Sequence, residues 1–345
     1  MQMLSIRYIF SAFICLLFSN CLPAQENLLS NYFSAGSFYN PALAGDTRFI
    51  QVQMVDRLQP TTASVLINNS LFSFNYKLQN HHSGIGVHIN RRTSVFSETE
   101  FKTNYSHTFT IFKKVIFKAG LGISLNELNT HANAFKFPDQ YDQYGFTGNP
   151  TQEPLLNEKA LYTGFSAGMA VYYGQGWLTL CTDNINRPLV DFAGSESHIP
   201  SLIMTQIGYL IPLDKGKKAK RMFTRYGGIV PYSSVGPVAM FYKNGPFRVM
   251  SMGISAFTRP VYWGIQYRNN SVNTIDFSKS VASLNFLAGY RNEVLSVAYS
   301  YDFILDRTPT NYKGAHEITF AWYFYTIKED YKKYPLFPYP NQLMY

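Results

Sequence analysis

Apolar residues alternate with small or polar ones along most of the chain. In the stretch 115–126 one face carries Val, Phe, Ala, Leu, Ile and Leu, and the other carries Ile, Lys, Gly, Gly, Ser and Asn. The same period of two recurs in 161–173, 295–303 and 316–324. Because successive side chains of a β-strand point to opposite faces, this period predicts strands. Helical periodicity is unconvincing after residue 24, so we predict an all-β fold.

The alternation and the turn residues between the apolar runs predict fourteen strands. The ninth contains several Gly and Pro residues, which are expected to bend or interrupt it. The predicted strands are 48–57, 63–77, 83–92, 97–111, 115–128, 160–173, 176–185, 200–212, 223–243, 246–257, 261–269, 280–290, 294–304 and 315–325.

Two all-β architectures fit such strands, a soluble β-sandwich and a membrane barrel. A sandwich alternates equally well. Here, however, large aromatic residues lie on the apolar faces near strand ends, and glycines lie on the opposite faces. Aromatic residues make up 17% of the chain and charged residues only 15%, against about a quarter charged in soluble domains. Tyr and Phe also form the aromatic girdles of membrane barrels. We therefore predict a transmembrane antiparallel β-barrel of about 14 strands.

The connections between these strands sort into two sets. If both termini face the periplasm, tight turns fall on the periplasmic side and long loops fall outside, as in bacterial barrels. Only the lysine-rich connection 213–222 is long for its side. The expected external loops are 129–159, 186–199, 270–279 and 305–314, and the expected tight turns are 112–114, 174–176, 259–260 and 291–293.

The first residues indicate export. Arg7 precedes an apolar run too short to span a bilayer, and we expect cleavage after Ala24. Acylation of Cys21 as a lipoprotein is the alternative, but the residues before that cysteine suit it poorly. After cleavage only Cys181 remains, so an internal disulfide is impossible. An exported barrel of this kind is expected in the cell outer membrane.

Four regions follow from these observations. Residues 1–24 are a signal peptide, 25–47 an N-terminal segment that caps or plugs the barrel, 48–327 the barrel, and 328–345 a periplasmic tail. The N-terminal segment is rich in aromatics yet too short for its own core. It precedes a barrel whose lumen is too wide to be filled by side chains alone, so we expect the segment to be ordered at the periplasmic mouth. The tail is too charged for lipid, and we expect it to dock on a periplasmic partner.

Three motifs resemble the PorP/SprF-like membrane proteins of the type IX secretion system. One precedes the first strand, one is an aromatic-Trp-Gly strand that ends in Tyr-Arg, and one joins Tyr-Ser-Tyr-Asp to a final strand that begins Gly-Ala-His-Glu-Ile. The last departs from the family's usual Gly-Ser-His-Glu-Ile at Ala315. The motif positions are Phe38, Asn40, Pro41, Gly45, Trp263, Gly264, Arg268, Asp302, Gly314, His316 and Glu317.

The resemblance implies a non-enzymatic outer-membrane component of the type IX secretion and gliding machinery that helps export or anchor surface proteins such as adhesins. Implied partners are outer-membrane lipid, a secreted surface protein or its C-terminal sorting domain, and periplasmic or outer-membrane components of the machinery. The alternative is a passive porin or small-molecule transporter. A diffusion pore favours rings of charge, and we expect few charges on the inner faces, which favours a plugged barrel. A net charge of +9 without a nucleic-acid motif argues against nucleic acid as a partner.

The chain offers few candidates for catalytic or metal chemistry. His316 and Glu317, like Ser106 and His107, are adjacent on a strand and point to opposite faces. The pair at 81–82 is expected in a solvated turn, without ligands at metal-site spacing. The loop 129–159 lacks the carboxylate spacing of a calcium loop, and its aromatics predict a contact surface. We predict no enzyme activity, no cofactor and no metal site.

Overall fold

The computed structural model describes most of the barrel and the segment before it. The predicted signal peptide and tail lie outside the described residues. The described residues are 28–46, 50–61, 66–78, 82–94, 96–112, 115–130, 140–142, 145–149, 159–192, 195–213, 233–272, 281–292, 294–305 and 314–324.

Fourteen long strands form one antiparallel sheet. We number them β1 to β14 along the chain; two-residue strands and a short hairpin in the connections are left unnumbered. The strands are β1 Ile50–Pro60, β2 Leu66–Leu78, β3 Ser83–Thr93, β4 Phe96–Phe112, β5 Val115–Thr130, β6 Lys159–Tyr173, β7 Gly176–Asp183, β8 Leu202–Tyr209, β9 Ser233–Asn244, β10 Phe247–Thr258, β11 Val261–Val272, β12 Val281–Arg291, β13 Leu295–Ile304 and β14 Ala315–Phe324.

The sheet closes on itself into a barrel. Each strand pairs with the next along the chain, and β1 pairs with β14 from Ile50 opposite Phe324 to Leu58 opposite His316. Closure leaves no long unpaired edge among the described strands, which a sheet of this size would otherwise expose. The predicted all-β fold and strand number are confirmed, and a sandwich is excluded. The ninth strand begins at Ser233; the predicted part before it, 223–232, lies outside the described residues.

The connections differ at the two ends of the barrel. We call the end where β1 begins and β14 ends the terminal end, and the opposite end the loop end. The terminal end holds the tight turns after β4, β6, β10 and β12, and the loop end holds the long connections after β5, β7, β11 and β13. This is the sorting that the sequence predicted. That the terminal end faces the periplasm stays a prediction.

The outer surface of the barrel is apolar. Outward side chains of the strands are large and exposed, for example Leu121 at 68% and Leu161 at 71%. Aromatic residues such as Trp263, Trp322 and Phe324 lie on the same surface. Such a belt is stable against lipid but costly against water. Among the residues that the structure describes, no helix is long and apolar enough to cross a membrane.

The segment Leu28–Asp46 lies inside the barrel. It contains one helical turn, Gly36–Tyr39 (α1), and a 3₁₀ turn, Pro41–Leu43. Its residues are almost all buried, and its apolar side chains form one cluster with inward side chains of the wall. The apolar part of that wall comes mainly from β7 to β10 through Trp177, Cys181, Met204, Val238, Met240, Tyr242 and Val249.

Candidate functional site

Four strands bring four charged side chains together inside the barrel. They are Arg57 of β1, Arg268 of β11, Asp302 of β13 and Glu317 of β14, each 2% exposed or less. We call this group the lumenal ion cluster. The alternation of side chains turns each of them inward, and the register places Arg57 opposite Glu317 across the pair of first and last strands.

Asp302 is at the centre of the cluster. Its Oδ2 lies 2.7 Å from Nη1 of Arg57 and 3.5 Å from Nη1 of Arg268. Its Oδ1 accepts a hydrogen bond of 2.6 Å from Nδ2 of Asn285. With Glu317 the cluster contains two cations and two carboxylates, so it is neutral overall. Buried charges are tolerated when they are paired and hydrogen-bonded in this way.

The cluster holds three successive residues of the N-terminal segment. Glu317 accepts hydrogen bonds from the backbone N–H groups of Ser30, at 2.5 Å, and Asn31, at 2.8 Å. Nη2 of Arg268 donates to the carbonyl oxygen of Leu29 at 3.2 Å. The hydroxyl of Ser30 donates to Asp302 at 2.9 Å and accepts from Arg57. We call these contacts the latch. The backbone of the segment is thus bound by groups from both termini of the barrel.

A second set of bonds holds the other end of the segment. Asp46 is buried, and its Oδ1 lies 2.9 Å from Nζ of Lys118. Its Oδ2 accepts a hydrogen bond of 2.9 Å from the hydroxyl of Tyr172. Ser106 donates to the carbonyl oxygen of Ala44 at 2.7 Å. These groups lie near the terminal end, so the segment extends from there into the lumen as far as the latch.

Close backbone packing fixes the middle of the segment. A Cβ added at Gly120 would overlap the backbone of Pro41 and Ala42, and one added at Gly168 would overlap the side chain of Asn40. These inward glycines therefore make room for the chain's own N-terminal segment. Gly45 has φ +60 and lies against Gly84, where larger residues on either side would collide.

The aromatic residues of the segment are neutral and buried. The Tyr39 hydroxyl accepts a hydrogen bond of 3.1 Å from the N–H of Leu29, so it ties α1 to the start of the segment. Burial raises the pKa of Tyr39, which keeps its phenol protonated.

Nine of the eleven motif positions lie in the N-terminal segment, on the inner wall or next to the start of β14. Phe38, Asn40, Pro41 and Gly45 lie in the N-terminal segment. Arg268, Asp302 and Glu317 belong to the lumenal ion cluster. Gly264 lies on the inner wall, on the same strand as Arg268. Gly314, with φ +62, is the residue immediately before β14.

The remaining two positions point away from the lumen. Trp263 is 48% exposed on the outer surface. His316 also points outward, where its Nδ1 lies 2.7 Å from the hydroxyl of Tyr299. His316 and Glu317 therefore lie on opposite faces and do not form a dyad.

The expectation of few charges on the inner faces is wrong. Besides the lumenal ion cluster, Glu100, Lys102 and Lys118 point inward and are buried. Each has an oppositely charged side chain within reach: Lys102 contacts Asp183, and Lys118 contacts Asp46. Pairing offsets the loss of hydration, which is why the lumen accepts these charges. The sequence analysis missed Arg57 and Lys118 because alternation shows that they point inward but does not show their partners. It missed Ser30 and Asp46 because they lie outside the strands, where alternation gives no orientation.

The other candidates for chemistry have structural roles. Ser106 bonds the N-terminal segment, whereas His107 contacts Ser83 at 2.9 Å. Of the long loop, residues 140–142 and 145–149 are described, and there the rings of Tyr141 and Phe146 pack edge to face with both residues about half exposed. Within the described ranges no group of three or more His, Cys, Asp or Glu side chains could hold a metal ion.

A closed barrel with an apolar outer belt and a polar, occupied lumen is an outer-membrane β-barrel. The family described as "Type IX secretion system membrane protein PorP/SprF" matches residues 22–322, so the chain belongs to that family. The predicted family and the predicted location in the outer membrane are thereby confirmed. The family's description is that of a secretion-system membrane protein and names no enzyme activity. No curated protein matches the sequence.

Several solved structures share the barrel at low identity. The toluene transporter TbuX of Ralstonia pickettii is 9% identical over 85% of this chain and 94% of its own, with a TM-score of 0.49. The outer membrane protein Omp33 of Acinetobacter baumannii is 8% identical over 81% of this chain and 100% of its own, with a TM-score of 0.44. At such values nothing about transport or ligands carries over to this chain.

Proposed function

We propose that this protein is a non-enzymatic barrel of the type IX secretion and gliding machinery that helps export or anchor surface proteins such as adhesins. Family membership supports a place in the secretion machinery. The role in the export or anchoring of adhesins goes beyond what family membership supports. The observation that carries it is the occupied lumen: a barrel filled by its own segment suits a docking or anchoring component better than an open channel.

The alternative is a passive porin or small-molecule transporter. A diffusion pore needs a continuous watery path with sites weak enough for solutes to leave. In this barrel the segment is fixed at Leu29–Asn31 by the latch and at Ala44–Asp46 by Ser106, Lys118 and Tyr172. Bonds at both ends oppose spontaneous release of the segment. We therefore infer that residues 25–47 act as a plug in the resting protein.

Deletion of the gene in the native host tests the two functions against each other. The proposal expects the loss of particular secreted proteins from the cell surface, measured by surface proteomics, with the uptake of small solutes unchanged. The porin alternative expects slower solute uptake and an intact set of surface proteins. An unchanged surface proteome would refute the adhesin role.

The partners of the proposed function are a secreted surface protein or its C-terminal sorting domain and other components of the machinery. We propose that the tail 328–345 docks on a periplasmic component. Truncation after Ile327 should leave a folded barrel that no longer co-purifies with periplasmic proteins from native membranes. A truncated protein that retains the same partners would contradict the docking role of the tail. It would not contradict the inference that the N-terminal segment acts as a plug.

A further inference from the structure

A polar chamber lies at the loop end of the lumen, beside the N-terminal segment. Its volume is about 230 Å³, well above the ~10–15 Å³ that one water needs. Phe38 and Tyr39 of the segment line it on one side. Inward side chains of the barrel wall, including Asn90, Glu100 and Lys102, line it on the other.

Both cations of the chamber are paired with carboxylates. Nη2 of Arg92 lies 2.9 Å from Oε2 of Glu98, and Lys102 contacts Asp183 and lies 4.0 Å from Oε1 of Glu100. Two cations thus face three carboxylates. Because both cations already have carboxylate partners, an anionic ligand would meet no unpaired cation among these groups. The chamber therefore favours a ligand that hydrogen-bonds without bringing a negative charge.

Asn90 supplies the observation that points to a ligand. Its side chain is 1% exposed, lines the chamber, and has an Oδ1 without a hydrogen-bond partner among the described residues. A buried polar atom that lacks a partner is destabilising, so such an atom beside a cavity calls for a bound donor. Asn126 adds a second amide to the same wall. Amide groups both donate and accept, which suits hydroxyl groups.

The opposite side of the chamber supplies apolar contact. The rings of Phe38 and Tyr39 line it, and their centroids lie 5.1 Å apart in an edge-to-face arrangement. A ligand with an apolar face and a rim of hydroxyls matches this division between rings and amides. Sugar rings have this chemistry, since their C–H groups form faces and their hydroxyls form the edge.

We propose that the chamber is a binding site for a neutral, hydroxyl-rich ligand of one or two sugar rings. The wall would bond the hydroxyls through Asn90 and Asn126, and the rings of the N-terminal segment would pack against the sugar face. The site lies at the loop end, so its ligand would enter from the side opposite the chain termini. This inference is independent of the proposed adhesin role.

Titration of the full-length protein in lipid nanodiscs tests the proposal. The probes are methyl glycosides of glucose, galactose, mannose and N-acetylglucosamine, with spermidine as a cationic probe and citrate as an anionic one. We expect saturable binding of at least one glycoside and no binding of citrate. A second arm with purified lipopolysaccharide distinguishes a lipid-linked glycan from a free sugar: competition with the bound glycoside would indicate the former.

Asn90→Ala is the matching variant, and Asn75→Ala is its control. Asn75 is also a buried inward asparagine of the wall with an unpartnered Oδ1, but it does not line the chamber. Loss of one neutral hydrogen bond should weaken glycoside binding about 3- to 10-fold in Asn90→Ala and leave Asn75→Ala unchanged. Absence of any glycoside binding, tighter binding of spermidine or citrate, or equal weakening in both variants would overturn the proposal.

Discussion

Replacement of Glu317 by alanine is the most direct test of the latch. Glu317 is 1% exposed, and both of its carboxylate oxygens accept backbone N–H groups from the N-terminal segment. Alanine removes both acceptors and leaves the N–H groups of Ser30 and Asn31 without them. It also leaves Arg57 and Arg268 with Asp302 as the remaining carboxylate of the cluster.

The structure sets the size of the effect. Hydrogen bonds to a charged group contribute about 1.5–3 kcal/mol each, so two give about 3–6 kcal/mol. Breaking a buried ionic group by removing one member costs about 3–5 kcal/mol, a similar range. Four buried side chains of the segment, Leu28, Leu29, Tyr32 and Phe33, keep their apolar contacts. Their burial contributes about 1.5–3 kcal/mol each, so the segment should loosen without leaving the barrel.

Planar-bilayer recordings and limited proteolysis measure this loosening. We expect brief openings in Glu317→Ala, against a silent parent protein, and faster cleavage within residues 28–33. Deletion of 28–40 should give sustained conductance instead. Glu127→Gln is the control, since Glu127 pairs with Lys159 at the surface, away from the segment. If Glu317→Ala is as silent and as protease-resistant as the parent, the carboxylate does not latch the segment.

Three further predictions concern the wall. Gly120→Ala should destabilise the bound segment by about 1–3 kcal/mol, because the new methyl group would overlap the backbone of Pro41 and Ala42. Gly264→Ala is the control and should match the parent, since the atoms nearest to its added Cβ lie 3.4 Å away. Equal conductance in the two variants would contradict close packing of the segment against Gly120. Lys118→Met should cost about 3–5 kcal/mol by leaving the buried Asp46 without its cation, seen as cleavage near residue 46; resistance equal to that of the parent would show that this ion pair is dispensable. Leu121→Arg should cost about 2–4 kcal/mol on the lipid face and reduce the heat-modifiable folded band on gels, and a normal band would mean that Leu121 does not face lipid.

The register behind the last prediction also bears on the neighbouring residue, Gly122. The sequence places Leu121 outward and Gly122 inward, and the structure agrees. From sequence alone a serine at Gly122 would be expected to meet water in a roomy lumen. An added Cβ there would instead overlap the side-chain ends of Asn104 and Ser166, and Asn104 holds the carbonyl oxygen of Ser37. Gly122→Ser therefore requires the side chains of Asn104 and Ser166 to move.

The strands could be predicted because their signal is local. Alternation fixes which side chains face lipid, and turn residues fix the ends, so fourteen strands and their order follow from the chain itself. The contacts of the site could not be predicted in this way, because they join residues far apart in the sequence. The hydrogen bond between Ser30 and Glu317 spans 287 residues of sequence, and such pairing leaves no local pattern. The motifs indicated Arg268, Asp302 and Glu317 as a set, but Arg57 became a member only through the register of β1 with β14.

The position of the latch at the closing pair of strands has a consequence for assembly. Arg57 lies on β1, while Asp302 and Glu317 lie on β13 and β14, so the lumenal ion cluster is complete only when the first and last strands have paired. Closure of so long a chain carries an entropic cost that the pairing contacts must offset. The N-terminal segment binds both sides of this junction, because the hydroxyl of Ser30 accepts a hydrogen bond from Arg57 of β1 and the N–H of Asn31 donates to Glu317 of β14. Seating of the segment and closure of the barrel therefore stabilise each other, because contacts made in one are available only when the other is complete.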